Sequence, residues 1–337
     1  MAWRIGDCVI TDEEMQQWEI PTKKRYMESP DKMYYHTMTK KDVEERLQKN
    51  DIMLIPVGST ENHGNCGPIG EDTFIVTRIA EMVAEKTGCT VASPVWYGSH
   101  PFHHIGQPCT IPLPDSVFID YLKAIISGFW NTGFRKMIFI SMHGQEYSLP
   151  VALQEWNKKY QVPAMLYFVD LPRVMGETLM DKKHGGPYDR PFQHACEAEQ
   201  SISLALFPEL CDLDSAENTD HSGTLPAGHV DRGGDIYGNP IPGHCQVGNC
   251  GIECVTAPEG VLGHAKDADP KKAYDSIRKA CDYLVKLQKD MLAAYPVGKL
   301  PPAEWMSQRD PKEIEALLKG PTRGGTAPLY TGLAQLM

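Results

Sequence analysis

The stretch that decides the fold is DIMLIPVGSTENHGNCGPIGEDT, residues 51–73. Its first part, residues 51–58, is a short apolar run that ends in Pro and Gly, which predicts a buried strand. Its second part is a polar loop. Apolar residues then recur at helical spacing from 72 to 86, with Gly88 behind them, which predicts a helix. A buried strand that leads through a polar loop into a helix is the repeating unit of an α/β fold.

The same alternation continues through most of the chain. Further strands are predicted at residues 89–95, 135–141 and 162–169, and further helices at 115–132, 147–160, 197–207 and 270–295. Because the strands are continuous apolar runs, the pattern favours an α/β fold with a mostly parallel sheet and helices on both faces. In such sheets ligands bind beyond the carboxyl ends of the strands.

The chain divides into three parts by composition. Residues 1–50 are polar and charged and predict an N-terminal arm. Residues 51–295 are predicted to form a single α/β domain, and residues 296–337, with several Pro and Gly, a C-terminal tail. Residues 212–263 are rich in Gly and Pro, which predicts a long excursion over one face of the domain.

Charge and composition restrict the partners. The 337-residue chain has 33 Lys and Arg against 44 Asp and Glu, a net charge of −11. A field of this sign repels phosphate backbones and anionic lipid, which argues against nucleic acid and membrane surfaces. The sequence lacks a signal-peptide pattern and any apolar run of about 20 residues. Its ten cysteines form no CxxC pair, so we expect a cytoplasmic protein with reduced thiols.

The polar loop after the first strand contains Glu61 and His63, and Asp72 follows at the start of the helix. Carboxylate oxygens together with an imidazole nitrogen suit Zn²⁺ or Mn²⁺. The alternative is a solvated loop in which Asp72 only caps the helix.

Two further clusters occupy comparable positions. His143 follows the strand at 135–141, although a histidine there can also simply bond to the backbone. His194 and Glu197 are three residues apart, so on a helix they project from one face, and one can bind metal while the other transfers protons. Glu199 is predicted to point elsewhere, as a surface or supporting group. The three clusters together predict a metal site.

Five segments resemble motifs of the creatininase family of metal-dependent amidohydrolases: PVGSTENHG at 56–64 with Asp72, HIGQPCTI at 104–111, MHG at 142–144, HACEAEQS at 194–201, and PEGVLG at 258–263. The resemblance spans residues 51–272 and implies the three-layer α/β sandwich of that family. It also implies a homo-oligomer, often a hexamer.

For the site, the resemblance implies metal ligands at Glu61, His63, Asp72, His143 and Glu197, a proton-transfer residue at His194, and substrate-binding residues at His104, Cys66 and Gln145. Asp72 would bridge two divalent ions, Zn²⁺ and/or Mn²⁺. The chain departs from the family pattern at Cys66, where a histidine is usual, and at Gln145, where creatininase itself has a glutamate.

The activity that the resemblance implies is hydrolysis of a small cyclic substrate by metal-activated water. The length and the N-terminal arm resemble the branch of 3-dehydro-scyllo-inosose hydrolases, which open a ring C–C bond in inositol breakdown. Two alternatives are an amidohydrolase that acts on a cyclic amide or formamide, and a non-catalytic metal- or sugar-binding protein on the same fold.

Two other sites are weaker candidates. His244, Cys245, Cys250 and Cys254 offer zinc ligands, but their spacing does not match a zinc knuckle, and buried free cysteines are common. A serine hydrolase built on Ser59 or Ser141 would lack the G-x-S-x-G turn.

Overall fold

The computed structural model describes residues 3–20, 27, 29–220, 226, 251–319 and 329. The strands are β1 (Trp3–Ile5), β2 (Cys8–Ile10), β3 (Ile52–Val57), β4 (Thr90–Val91), β5 (Lys136–Ser141) and β6 (Met165–Asp170). The α-helices are α1 (Lys40–Lys49), α2 (Glu71–Thr87), α3 (Asp115–Thr132), α4 (Leu149–Tyr160), α5 (Leu171–Met175), α6 (Glu197–Leu206), α7 (Glu253–Thr256), α8 (Pro270–Ala294), α9 (Ala303–Met306) and α10 (Pro311–Lys319).

The central sheet has the order β4-β3-β5-β6, and every neighbouring pair is parallel. This confirms the parallel α/β fold. Val57 at the end of β3 pairs with Ser141 at the end of β5, and Ser141 pairs with Asp170 at the end of β6. The loops after β3 and β5 therefore leave the sheet side by side at one edge.

Helices cover both faces of the sheet. In β3, Ile52 and Leu54 face a core that includes residues of α2, α6 and α8. Met53 and Ile55 face the other core, which is formed with α3 and α4. The side-chain alternation of a strand thus builds two apolar layers from one continuous buried run.

The ends of two helices follow from single residues. Gly88 ends α2 in the left-handed region at φ 67°, as its position behind the helix predicts. At α3, Pro114 is the capping residue and makes no side-chain cap bond, and Asp115 is the first helical residue, as the predicted range 115–132 has it.

The N-terminal residues pack along α8. Asp282 accepts hydrogen bonds from the indole nitrogens of Trp3 (3.0 Å) and Trp18 (2.9 Å) and from the backbone of Gln16 (3.0 Å). In the C-terminal region, the carbonyl oxygen of Leu317 accepts a hydrogen bond from Nε1 of Trp130 on α3 at 3.3 Å, and the backbone of Gln308 donates to Oε1 of Gln161 at the end of α4 at 3.0 Å. Within the described ranges, no helix is long and apolar enough to cross a membrane.

Candidate metal centre

The loop after β3 packs tightly against the first turn of α2. A Cβ on Gly58 would lie 2.2 Å from Oγ1 of Thr73, so only glycine allows this approach. The hydroxyl of Ser59 donates to Oδ2 of Asp72 at 2.7 Å. These contacts bring Asp72 next to Glu61, which lies in the same loop and is also buried.

His143 joins the two carboxylates from the neighbouring strand end. Its Nε2 lies 3.0 Å from the carbonyl oxygen of Ser99, a position in which it donates. The lone pair on Nδ1 then points at Oε2 of Glu61 (2.8 Å) and Oδ2 of Asp72 (3.2 Å). Fixing one ring nitrogen through a backbone carbonyl is how proteins orient a metal-binding imidazole.

His63 is oriented in the same manner. Its Nδ1 lies 3.2 Å from its carbonyl acceptor on Glu61, which leaves a lone pair on Nε2. This Nε2 is buried and has no hydrogen-bond partner among the described residues. It faces Oδ1 of Asp72 at 3.7 Å and Oε2 of Glu199 at 4.0 Å.

These separations fit an ion between the atoms better than hydrogen bonds. A hydrogen bond to a ring nitrogen is about 2.7–3.2 Å long. Two ligands of a tetrahedral zinc ion, each about 2.0–2.2 Å from it, lie roughly 3.4 Å apart. Nε2 of His63 lies 3.7 and 4.0 Å from the two carboxylate oxygens. These distances are too long for hydrogen bonds and closer to the separation of two ligands of one ion.

We call Glu61, His63, Asp72, His143 and Glu199 the central cluster. Its three carboxylates are buried, and a buried charge costs several kcal/mol unless it is paired. Burial opposes ionisation of Glu61, but the neighbouring His104, His194 and His143 outweigh it and hold the pKa of Glu61 well below its usual range. For Glu199, burial and the carboxylate of Glu71 raise the pKa well above its usual range. A divalent cation would stabilise all three buried carboxylates in their charged form.

Glu197 does not lie with the central cluster. One of its carboxylate oxygens forms a salt bridge with Lys272, and the other accepts a hydrogen bond from the backbone of Asp189 at 2.8 Å. The sequence argument assumed that His194 and Glu197 share a helix face. However, α6 begins only at Glu197, and Ala195 has a positive φ of 50°, so the helical spacing does not apply.

Glu199 takes the place next to His63 instead. The sequence predicted that Glu199 is a surface or supporting group. The surface position is wrong, because Glu199 is buried. Its Oε2 accepts a hydrogen bond from the backbone of Ala195 at 2.6 Å. Glu71, also buried, groups with His63 and Glu199 within 4.8 Å and accepts bonds from Nε2 of Gln200 at 3.1 Å.

His194 stands at the edge of the central cluster. Its Nε2 lies 2.7 Å from the carbonyl oxygen of Asn62, so Nδ1 carries the lone pair, 3.5 Å from Oε1 of Glu61. Its ring centroid is 4.6 Å from that of His63. A free ring nitrogen beside the cluster suits a group that moves protons.

His104 lies beside the central cluster, with Nδ1 at 3.0 Å from Oε1 of Glu61. His100 lies beside it, with 3.1 Å between the two Nδ1 atoms. Sequence reasoning missed His100 and Glu253, the latter 3.5 Å from Nε2 of His104. The run His100-Pro-Phe-His103-His104 after a strand was a usable signal, whereas nothing near Glu253 in the sequence pointed to this site.

Cys66 and Gln145 are buried, but neither is among the groups that could hold a metal within the described chain. Cys66 packs in a small apolar cluster with Ala195 and Val261. Burial raises the pKa of its thiol to about 12, which keeps it protonated. Nε2 of Gln145 donates to Oγ of Ser141 (3.0 Å) and to the carbonyl oxygen of Gly58 (3.2 Å), so it joins the two loops.

The weaker candidates gain no support as sites. Sγ of Cys254 donates to the carbonyl oxygen of Ile105 at 3.3 Å. Residues 244, 245 and 250 lie outside the described residues. The hydroxyl of Ser59 donates a hydrogen bond to Asp72, and that of Ser141 accepts one from Gln145. Neither contact is the serine–histidine pair of a serine hydrolase.

Comparison with known proteins identifies the class. Residues 36–288 match the creatininase family, described as creatinine amidohydrolase. The chain therefore belongs to the creatininase family of metal-dependent hydrolases.

Among its relatives, the 3-dehydro-scyllo-inosose hydrolase of Thermotoga maritima is 50% identical over 305 residues, which cover 90% of this chain and 98% of the relative. Creatinine amidohydrolase of Pseudomonas putida is 26% identical over 199 residues, 52% of this chain and 73% of the relative.

Solved structures confirm the fold. One described as creatininase Mn matches with a TM-score of 0.60 at 20% identity, and covers 81% of this chain and 100% of its own. A mutant creatininase of Zn–Zn type matches with a TM-score of 0.59 at 21% identity, with the same coverage. At these identities the likeness shows the α/β fold.

Proposed function

We propose that the protein hydrolyses 3-dehydro-scyllo-inosose or a closely similar cyclic diketone. The observation that carries this proposal is the 50% identity to the Thermotoga maritima hydrolase over nearly its whole length. The buried cluster of oriented imidazoles and carboxylates supports it, because hydrolysis needs such a centre to activate water.

The central cluster is our proposed metal-binding set, with Glu199 in place of Glu197. Two divalent ions fit five such ligands, with Asp72 between the histidines, and Zn²⁺ and Mn²⁺ both accept nitrogen and oxygen donors. The unpartnered Nε2 of His63 is the observation that fits such an ion. When bound, the ions would supply an activated water and polarise a carbonyl group.

The reaction adds the OH of water to one carbonyl carbon and breaks the bond from that carbon to its neighbour. The electron pair of the broken bond stays on the neighbour, beside the second carbonyl group, and this carbon takes up the proton. His194 is our proposed proton-transfer residue, since its free Nδ1 lies at the edge of the cluster. Because the broken bond belongs to the ring, both ends stay in one molecule, and the product is a single open-chain keto acid.

His104 is our proposed substrate-binding residue, because it adjoins Glu61 at the edge of the central cluster and lies among several imidazoles. Cys66 would act by filling space. Gln145 would act by positioning the loop that holds Glu61, through its bond to Gly58.

A second candidate function is hydrolysis of a cyclic amide or formamide. It is favoured by the match to the creatininase family and by the Pseudomonas putida relative. Creatinine is therefore the comparison substrate. A non-catalytic binding protein is the third possibility, and turnover of either substrate excludes it.

The test combines turnover with metal analysis. Glu61→Gln should lower the metal content and reduce turnover of 3-dehydro-scyllo-inosose at least about 100-fold, because the central carboxylate of the cluster is lost. Glu259→Gln, the same exchange at an exposed side chain, is the control. Full activity in Glu61→Gln would contradict the site, and turnover of creatinine alone would contradict the substrate.

We further propose a cytoplasmic homo-oligomer, a hexamer by family resemblance. Val117 and Tyr121 support an interface, because they lie one turn apart on α3 and are about half exposed. Sedimentation of the purified protein measures the assembly, and a monomer would contradict this proposal.

A further inference from the structure

A second group of ligand-type side chains lies beside the central cluster. We call His103, His104 and Glu253 the outer triad. Nε2 of His103 is 3.6 Å from Oε1 of Glu253, and Nε2 of His104 is 3.5 Å from Oε2 of the same carboxylate. One ligand atom from each residue lies within 4.8 Å of the others. The histidines come from the turn at Phe102–His104, and Glu253 is the first residue of α7.

The two contacts to Glu253 are too long for hydrogen bonds to a ring nitrogen, which are about 2.7–3.2 Å. They match the roughly 3.4 Å between two ligands of one tetrahedral ion. Oε1 of Glu253 is buried and has no hydrogen-bond partner within the part of the chain that the structure describes. Buried carboxylates are normally paired with a cation or coordinate a metal ion.

The placement of His104 gives a second reason. Its Nδ1 faces the central cluster, 3.0 Å from Oε1 of Glu61, and its Nε2 faces Oε2 of Glu253 at 3.5 Å. Nε2 is therefore the ring nitrogen that is available to an ion at Glu253.

The orientation of α7 points the same way. This single turn buries Glu253 to 2% exposure and leaves Val255 at 76%. Solvation alone favours the reverse, because carboxylates are costly to bury and valine is not.

We propose that the outer triad binds an additional divalent metal ion, with zinc the best fit, through Nε2 of His103, Nε2 of His104 and the carboxylate of Glu253. Two histidines and one glutamate, with a fourth position left for water or a substrate oxygen, form a common zinc-binding set. The inference rests on these residues and holds whatever the substrate is.

The experiment is a zinc titration of chelator-treated full-length protein by equilibrium dialysis, with metal measured by mass spectrometry. We expect wild type to bind about one zinc per chain more than Glu253→Gln does, because the exchange removes one of three ligands. Glu259→Gln, the same exchange at an exposed side chain of the same segment, should match wild type. His103→Asn leaves α7 unchanged, so it tests the site from the other side, and it should lose the same single ion.

The outcomes separate this inference from the proposed function. If both variants bind as much zinc as wild type, the outer site does not exist, while the central site is untouched. If either folded variant loses all zinc, the triad is part of the central site and the additional ion is refuted. If Glu61→Gln loses zinc while the outer ion remains, the two sites are distinct.

Discussion

Exchanging Glu199 for Gln tests which glutamate of α6 serves the metal centre. Glu197 and Glu199 are two residues apart on a helix, so their side chains point about 200° apart. Glu199 faces Nε2 of His63, whereas Glu197 faces Lys272. Glu199→Gln should therefore weaken metal binding at least about tenfold. Without metal it should be no less stable than wild type, because burial and Glu71 hold the pKa of Glu199 well above its usual range.

The matched exchange Glu197→Gln should give the opposite result. It breaks the salt bridge to Lys272 and weakens the acceptor for the backbone of Asp189. Loss of a hydrogen-bonded charge pair costs about 2 kcal/mol here, less than for a fully buried pair, because Lys272 is 24% exposed and can turn to water. Metal binding should stay at the wild-type level.

The assay measures two quantities on both variants: the metal retained after dialysis, and the free energy of unfolding of the metal-free protein in urea. We expect Glu199→Gln to lose metal and keep its stability, and Glu197→Gln to lose stability and keep its metal. If Glu197→Gln loses metal while Glu199→Gln retains it, the reasoning from the structure is refuted and the ligand expected from the sequence is restored.

Two further predictions concern proton transfer and pH. His194→Asn should keep the metal content but lose most of kcat, because Nδ1 is the free proton acceptor beside the cluster; complete loss of metal would make His194 a ligand instead. Burial and the carboxylate of Glu146 raise the pKa of Asp170 to about 7, against about 4 in the unfolded chain. The folded state therefore holds this proton more tightly, and stability falls as the pH rises from about 4 to 7. Asp170→Asn should raise the melting temperature more at pH 8 than at pH 5; an equal gain at both would contradict this sign.

The amino-acid sequence predicted the parallel sheet and the meeting of three candidate site residues at its edge. Continuous apolar runs predicted β3 and β5, and helical spacing with Gly88 predicted α2 nearly to its ends. Glu61, His63 and His143 could be placed together because residues that follow parallel neighbouring strands emerge at one edge. Periodicity predicts the strands themselves, and the structure shows that β3 and β5 are neighbours, which brings the three residues together.

Which other side chains reach that edge follows only from the folded chain. Ala195 and Cys196 are not helical, so the face shared by His194 and Glu197 never forms, and Glu199 turns inward while Glu197 meets Lys272. Glu253 arrives from a distant part of the chain. Spacing along a sequence predicts which side chains share a face only inside a regular helix or strand. The position of Glu199 depends on where α6 starts, and that of Glu253 on where a long connection comes back to the site.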